Sequence, residues 1–392
     1  MEIEFQTKHI IQQTIRSLLD YCIQNKWAGY DPYDGLNSRV FHAIPLIQNR
    51  IGRLIFTQAM KRLPTNVRSL FLVPKGENPK GLAIFCSALF ILSKSDSLKT
   101  IDPIHHLLKR LVELRSPDTS YFCWGYNFDW QSRDIFLPKF VPNIICTIFV
   151  GNVLLDAYTK FTDSKYLDMA KSAGDFLLEG LNILKSGDEI CFSYTPLDNG
   201  QVHNVNLLGA AFLSRLYSLT SEKKFLGPAL RAARYSTHRQ NEDGSWVYGE
   251  DKTQRWIDNF HTGYNLCALK DIGDYAGTHE FESNVNKGFK FYVNNFFRED
   301  GAPKYFHDRT YPIDIHSVAQ SIITLSAFRD LDENNIKLAS SVFEWAMANM
   351  WDEGGYFYFQ VTPYYKNKIS YMRWSQAWML LALATLLEMD NS

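Results

Sequence analysis

Apolar positions along this chain gather into two alternating kinds of helix-length segment. In the first kind almost every position is apolar. One such run begins near Lys80 and reads Gly-Leu-Ala-Ile-Phe-Cys; others begin at Asn143, His203, His261, His316 and Arg373. A helix that is apolar on every face must be covered on every face. These six are therefore predicted to form an inner layer. Their starts recur at intervals of about 55–63 residues, the mark of a repeated supersecondary unit.

Segments of the second kind are one-sided. In 165–180, Leu167, Ala170, Phe176 and Leu177 alternate with Lys165, Asp168, Lys171 and Asp175. The same holds for 7–26, 102–114, 223–238, 280–297 and 334–350. One apolar stripe covers one neighbour and leaves the other face to water. Alternating the two kinds closes into a ring of six helix hairpins, with all inner helices parallel and each one-sided helix outside them. The predicted class is all-α, an (α/α)6 toroid with short β-hairpins in its loops, as a single domain over 1–392.

The connections repeat too. Aromatic stretches lie at 121–126, 191–194, 243–248, 300–305 and 353–358. Asp-Gly and Gly-Gly pairs in them admit the positive φ of a tight turn, and alternating aromatics suit small strands. The segment 37–79 is the least regular. It holds a helical pattern at 48–62, followed by Pro64 and Pro74, which interrupt what comes next.

Composition narrows the function classes. Hydrophobic residues make up 46% and charged residues 21%, a globular balance. The net charge is −1 and no basic run interleaves with aromatics, which argues against nucleic acid. No apolar run reads as long enough to span a bilayer, and the start Met1-Glu2-Ile3-Glu4-Phe5 lacks signal-peptide character. The six Cys are scattered without a CxxC pair, as buried reduced thiols would be, so a cytoplasmic location is expected. Aromatics reach 15%, enough for both a core and a cleft that stacks sugar rings.

In a toroid the first residues of the inner helices converge on the axis. Three consecutive inner helices open on His with Asp upstream: Asp198 before His203, Asp258 before His261, Asp314 before His316. The last opens on Arg373-Trp374, and an earlier unit runs from Asp129-Trp130 to Asn143. Asp and His exchange protons near neutral pH when burial or neighbours tune them. The expected catalytic set is Asp258, His261, Asp314 and His316. Arg373, with Arg133 or Arg255, would grip a uronic-acid carboxylate. Trp130, Trp246, Tyr311 and Trp374 would stack on sugar. Tyr126, Asp129, Asn143, Asp198 and His203 complete the expected substrate-binding set. The plainer alternative is that each Asp is an ordinary N-cap and each His a supporting hydrogen-bond donor. The three His stand on separate helices without the close spacings of metal ligands, so no metal and no cofactor are expected.

The plan resembles the six-hairpin toroids of carbohydrate-active enzymes: unsaturated glucuronyl hydrolases, the N-acetylglucosamine 2-epimerase group, and the toroid domains of polysaccharide lyases and uronyl epimerases. The strings at 124–130 (Trp-Gly-Tyr-Asn-Phe-Asp-Trp), 256–263 (Trp-Ile-Asp-Asn-Phe-His-Thr-Gly) and 311–317 (Tyr-Pro-Ile-Asp-Ile-His-Ser) are similar to a bacterial family associated with polysaccharide-biosynthesis genes. The stretch 240–246 (Gln-Asn-Glu-Asp-Gly-Ser-Trp) resembles the aromatic repeat of triterpene cyclases and prenyltransferases. The acidic run of those cyclases and the zinc signature of lanthionine cyclases are both missing from this sequence. The resemblance implies an enzyme acting on an oligo- or polysaccharide or glycoconjugate, with hydrolysis first and epimerisation or β-elimination next. A non-catalytic sugar-binding or assembly protein and an isoprenoid-handling toroid are the other classes. A polar mouth with exposed aromatics would mark a sugar site, an oily channel an isoprenoid site.

Overall fold

The computed structural model describes residues 5–94, 100–132 and 135–391. The helices are α1 (Phe5–Gln24), α2 (Arg39–His42), α3 (Arg50–Arg62), α4 (Pro79–Leu92), α5 (Ile101–Glu113), α6 (Ile144–Phe161) and α7 (Ser164–Asp175). They continue as α8 (His203–Thr220), α9 (Lys223–Thr237), α10 (Asn259–Ala276), α11 (Glu282–Phe296), α12 (Ile315–Ala327), α13 (Asn334–Met350) and α14 (Trp378–Asn391). A π-helical turn, Met372–Ala377, leads into α14.

Helices α4, α6, α8, α10, α12 and α14 pack in that order, and α14 returns to α4. The inner ring is closed. Helices α5, α7, α9, α11 and α13 each pack on the inner helix before them, and α1 packs on α14. The sixth hairpin thus joins the two ends of the chain. Several repeats stop and start by shared local chemistry. Helices α6, α8 and α10 end on left-handed residues, Thr162, Ser221 and Gly277, which turn the chain into the outer helix. Helices α4, α6, α10 and α12 begin on Asx caps: Asn78, Asn143, Asp258 and Asp314 each accept a backbone N–H of the first turn.

Two expectations need correction. Strands form in only two of the five aromatic stretches: Glu189–Phe192 pairs with Ile183–Ser186, and Tyr356–Phe357 with Trp351–Asp352. At 121–126 and 300–305 the backbone makes isolated bridges only, and 243–248 makes none. In the stretches at 121–126 and 243–248, Trp124 and Trp246 act as wedges between the two helix layers. Their indole N–H groups donate to the carbonyls of Leu111 (2.7 Å) and Ser236 (2.9 Å) near the ends of α5 and α9. Second, α6 is long and apolar enough, by length and composition, to cross a membrane. It sits in the inner ring, covered by α4, α7 and α8.

Close approach of the inner helices depends on small residues. A Cβ on Gly263 of α10 would lie 2.6 Å from Thr324 Oγ1 and 2.8 Å from Gln320 Cγ on α12. Overpacking of this kind costs about 1–3 kcal/mol. Gly263→Val should lower the midpoint of chemical denaturation accordingly; an unchanged midpoint would mean that α12 can withdraw.

Candidate functional site

The caps of α10 and α12 hold the two histidines differently. Asp258 Oδ1 accepts the His261 backbone N–H at 3.0 Å. Its Oδ2 takes the His261 ring Nδ1 at 2.7 Å and the Trp256 indole N–H at 2.8 Å. With Nδ1 facing a carboxylate, the lone pair of a neutral His261 sits on Nε2. Nε2 makes no hydrogen bond among the described residues, and the side chain is 21% exposed. The imidazole lies between the rings of Tyr248, Phe260 and Tyr264, and Tyr248 stacks on Trp256 at 4.5 Å.

Asp314 does not repeat this. It accepts the His316 backbone N–H (2.9 Å), the Trp374 indole N–H (2.9 Å) and the Gln360 amide (2.7 Å), and it does not reach the His316 ring. Cap and histidine are two residues apart here, against three at Asp258. Instead His316 Nε2 meets the Tyr264 hydroxyl at 2.5 Å, and its Nδ1 is buried without a partner among the described residues. Phe260, Trp374 and Trp378 box the ring at 4.4–4.6 Å between centroids. Burial, helped by the positive charges of Lys80 and Arg373, holds this imidazole neutral, well below the usual histidine range. Burial likewise pushes the Asp314 carboxyl up.

A histidine depressed in the folded chain takes up its proton first when unfolded, so its contribution is complete above pH 6.5 and is lost as pH falls below that value. Melting temperature should drop between pH 7 and about pH 5. The drop should be shallower in His316→Phe; an equal slope would place the titration elsewhere.

Several expected site residues serve the scaffold. His203 points outward, with Nε2 on Glu250 (2.8 Å) and Nδ1 towards Ser236 of α9 (3.3 Å). Trp246 is the buried wedge described above. Asp198 braces its own loop by accepting from Tyr194 N, Thr195 N and Oγ1, and Gly200 N. Asp129 accepts the Lys139 N–H, and Asn143 caps α6 at Cys146 N. Arg373 is no open clamp for a ligand: Nε and one terminal nitrogen grip Asp31 at 2.6 and 2.8 Å, and the pair is buried. Behind it Arg68 bonds both the Asp31 carbonyl and the Asp34 carboxylate. Arg255 faces Glu250 at 3.5 Å, and Arg133 lies outside the described residues.

Trp130 is half-buried between Tyr33 and Tyr194. Tyr126 shares a hydroxyl–hydroxyl bond with Tyr194 (2.7 Å), and Tyr33 packs edge-on to Trp374 at 5.6 Å. Tyr311 is exposed on the loop before the strand Ile313–Asp314.

Lys80 was missed as a site residue. It is buried at the start of α4, its ammonium 4.6, 5.3 and 5.8 Å from the ring centroids of Phe149, Trp378 and Tyr264. No acidic partner or hydrogen bond holds Nζ among the described residues. Burial, with Arg373 adding to it, lowers this amine to about 7. The available signal was a lone cation in the first turn of an otherwise apolar helix. Tyr264, too, sits beside His261, His316 and Lys80.

Among solved structures, the chain is similar over 98% of its length to a sugar epimerase from a ruminal bacterium, at 12% identity, 99% of that chain and a TM-score of 0.65. Over 81% it is similar to cellobiose 2-epimerase from Bacillus thermoamylovorans (13% identity, 88% of that chain, TM-score 0.63). Over 80% it is similar to a family 76 α-mannanase from Bacteroides thetaiotaomicron (14% identity, 85% of that chain, TM-score 0.57). The fold is the (α/α)6 toroid. No protein-family model matches the chain, and no curated protein matches it. At one end of this toroid, then, stand an Asp-oriented imidazole with an unpartnered nitrogen, a neutral histidine joined to a tyrosine, and a lysine without a counter-ion, walled by aromatic rings. No three His, Cys, Asp or Glu side chains gather as metal ligands among the described residues.

Proposed function

We propose that this protein is a sugar epimerase or isomerase, moving a proton at a carbon beside a carbonyl with His261 as the base. The observation that carries this reading is the Asp258–His261 dyad with its unpartnered Nε2. A carboxylate behind an imidazole fixes its tautomer and leaves the other ring nitrogen as the acceptor, as general-base catalysis needs. The Tyr264 hydroxyl, joined to His316, is a second proton carrier beside it. Protonated Lys80 would stabilise negative charge developing on the substrate oxygen. Trp130, Tyr33, Tyr248 and Trp256 offer ring faces and edges for a sugar.

Hydrolysis fits the same residues less well. Glycoside hydrolysis in most families needs two carboxyl groups flanking the bond. Asp258 and Asp314 each accept three hydrogen bonds from the protein, which leaves neither free to serve as acid or nucleophile. Sugar substrates are further supported by the epimerases among the similar structures.

The test is incubation with a panel of reducing disaccharides, N-acyl sugars and uronates in deuterium oxide, followed by NMR. The expected result is a new epimer or ketose carrying deuterium at the carbon next to the anomeric one. Release of monosaccharides without carbon-bound deuterium would establish hydrolysis and refute the proposal.

A further inference from the structure

Between the first and second elements of the ring the chain makes an excursion that no repeat requires. From Gly35 to Gly76 it carries seven Lys or Arg and no Asp or Glu, in a chain whose net charge is −1. It has a small core of its own, where Phe41 and Phe71 pack on Phe56 at 4.9 and 5.5 Å. Outside that core its large apolar side chains point into water. Leu46 is 87% exposed, Leu70 74%, Ile51 68% and Ile55 65%. Tyr364, at 93%, stands on the adjoining hairpin, whose Tyr365 hydroxyl meets the Arg62 carbonyl. Nowhere else in the described chain do exposed large apolar groups concentrate in this way.

We propose that this face docks on an anionic lipid bilayer, with its apolar tips in the headgroup layer and its basic side chains on lipid phosphates. Arg39, Arg62 and Lys75 are exposed, and no ion pair joins any of them to an acidic side chain among the described residues. Arg68, by contrast, is neutralised in the fold by Asp34. Basic charge beside projecting apolar side chains is the pattern of a surface that lies on a membrane. Each basic residue near an anionic surface strengthens binding by roughly fivefold. The tips stand on separate segments (the turn at 45–47, α3 and the loop after it), which a deformable headgroup layer accepts. Docking would also set the ring mouth beside the membrane. Lys61 of α3 donates to the Tyr33 hydroxyl (2.7 Å) and lies 6.0 Å from the Trp374 ring, and Arg53 bonds Gln131 beside Trp130.

The test is co-sedimentation of the full chain with large unilamellar vesicles of phosphatidylcholine, alone or with about one-third phosphatidylglycerol. The protein should follow the anionic vesicles, stay in solution with the neutral ones, and be released by high salt. The double variants Leu46→Asp with Leu70→Asp, and Arg39→Glu with Arg62→Glu, should each lower the partition coefficient about tenfold or more. Leu331→Asp, an exposed apolar position on the α12–α13 turn, should leave it unchanged. All five substitutions fall on exposed side chains, and a melting curve checks folding. Failure to sediment with anionic vesicles, equal binding to neutral ones, or binding that survives either double variant would overturn the proposal. Loss with the charge pair but not the apolar pair would point to an acidic macromolecule instead.

Discussion

Asp258→Asn should lower turnover by about 100-fold or more while moving the melting temperature by only a few degrees. The carboxylate does two things at once: Oδ1 caps α10, and Oδ2 receives the His261 ring and the Trp256 indole. Asn is about as good a cap as Asp. It has one acceptor oxygen, however. With that oxygen on the His261 backbone N–H, its amide N–H groups face the imidazole. Nδ1 must then become the acceptor, and the proton moves to Nε2, where the base should be. A base in the wrong tautomer is silent, although the fold is intact. His261→Gln should show a comparable loss, and the double variant should be no worse than the worse single one, because the two residues act as a unit. Turnover within a few-fold of the parent in Asp258→Asn would reduce Asp258 to a cap and remove the dyad from the mechanism.

Lys80→Met should raise the melting temperature by about 4 °C at neutral pH and depress turnover. Lys80 has no carboxylate beside it, and its amine falls from 10.5 to about 7 because burial penalises the charged form. That corresponds to roughly 3–5 kcal/mol of lost stability at pH 7. Between pH 7 and 10.5 the unfolded chain binds the proton more tightly, so stability falls as pH drops through this window. Met keeps the length and the apolar stem without the charge. Its advantage should therefore shrink as pH is raised from 7 towards 10. A variant that melts lower than the parent at both ends of the range would mean that the three rings around the ammonium outweigh its burial.

Much of the scaffold is written locally. The all-apolar and one-sided segments alternate at a constant interval, and the helix starts at Lys80, Asn143, His203, His261, His316 and Arg373 all fall at or beside the first turns of the inner helices. Coverage of every face is a property a helix carries in its own composition, so the ring could be read without knowing its contacts. The Asp caps were legible for the same reason, since cap and helix are three residues apart at most. Strands of two residues were not, because a period of two needs several residues to declare itself.

The division of labour among the three Asp–His units was decided only by the tertiary structure. His203 is the first residue of α8, His316 the second of α12 and His261 the third of α10. Each step turns a side chain by about 100° around its helix. Two residues of phase thus separate the histidine against the outer layer, His203, from the partly exposed one at the mouth, His261. The partners of Arg373 and Lys80 were equally hidden. Asp31 lies 342 positions from Arg373 in the chain, and Trp378 and Tyr264 reach Lys80 from α14 and α10. The sequence determined which helices are inner and where they begin, because periodicity and caps act within one or two turns. Closure of the ring decided which side chains meet at its mouth, because contacts between residues hundreds of positions apart leave no trace in local spacing.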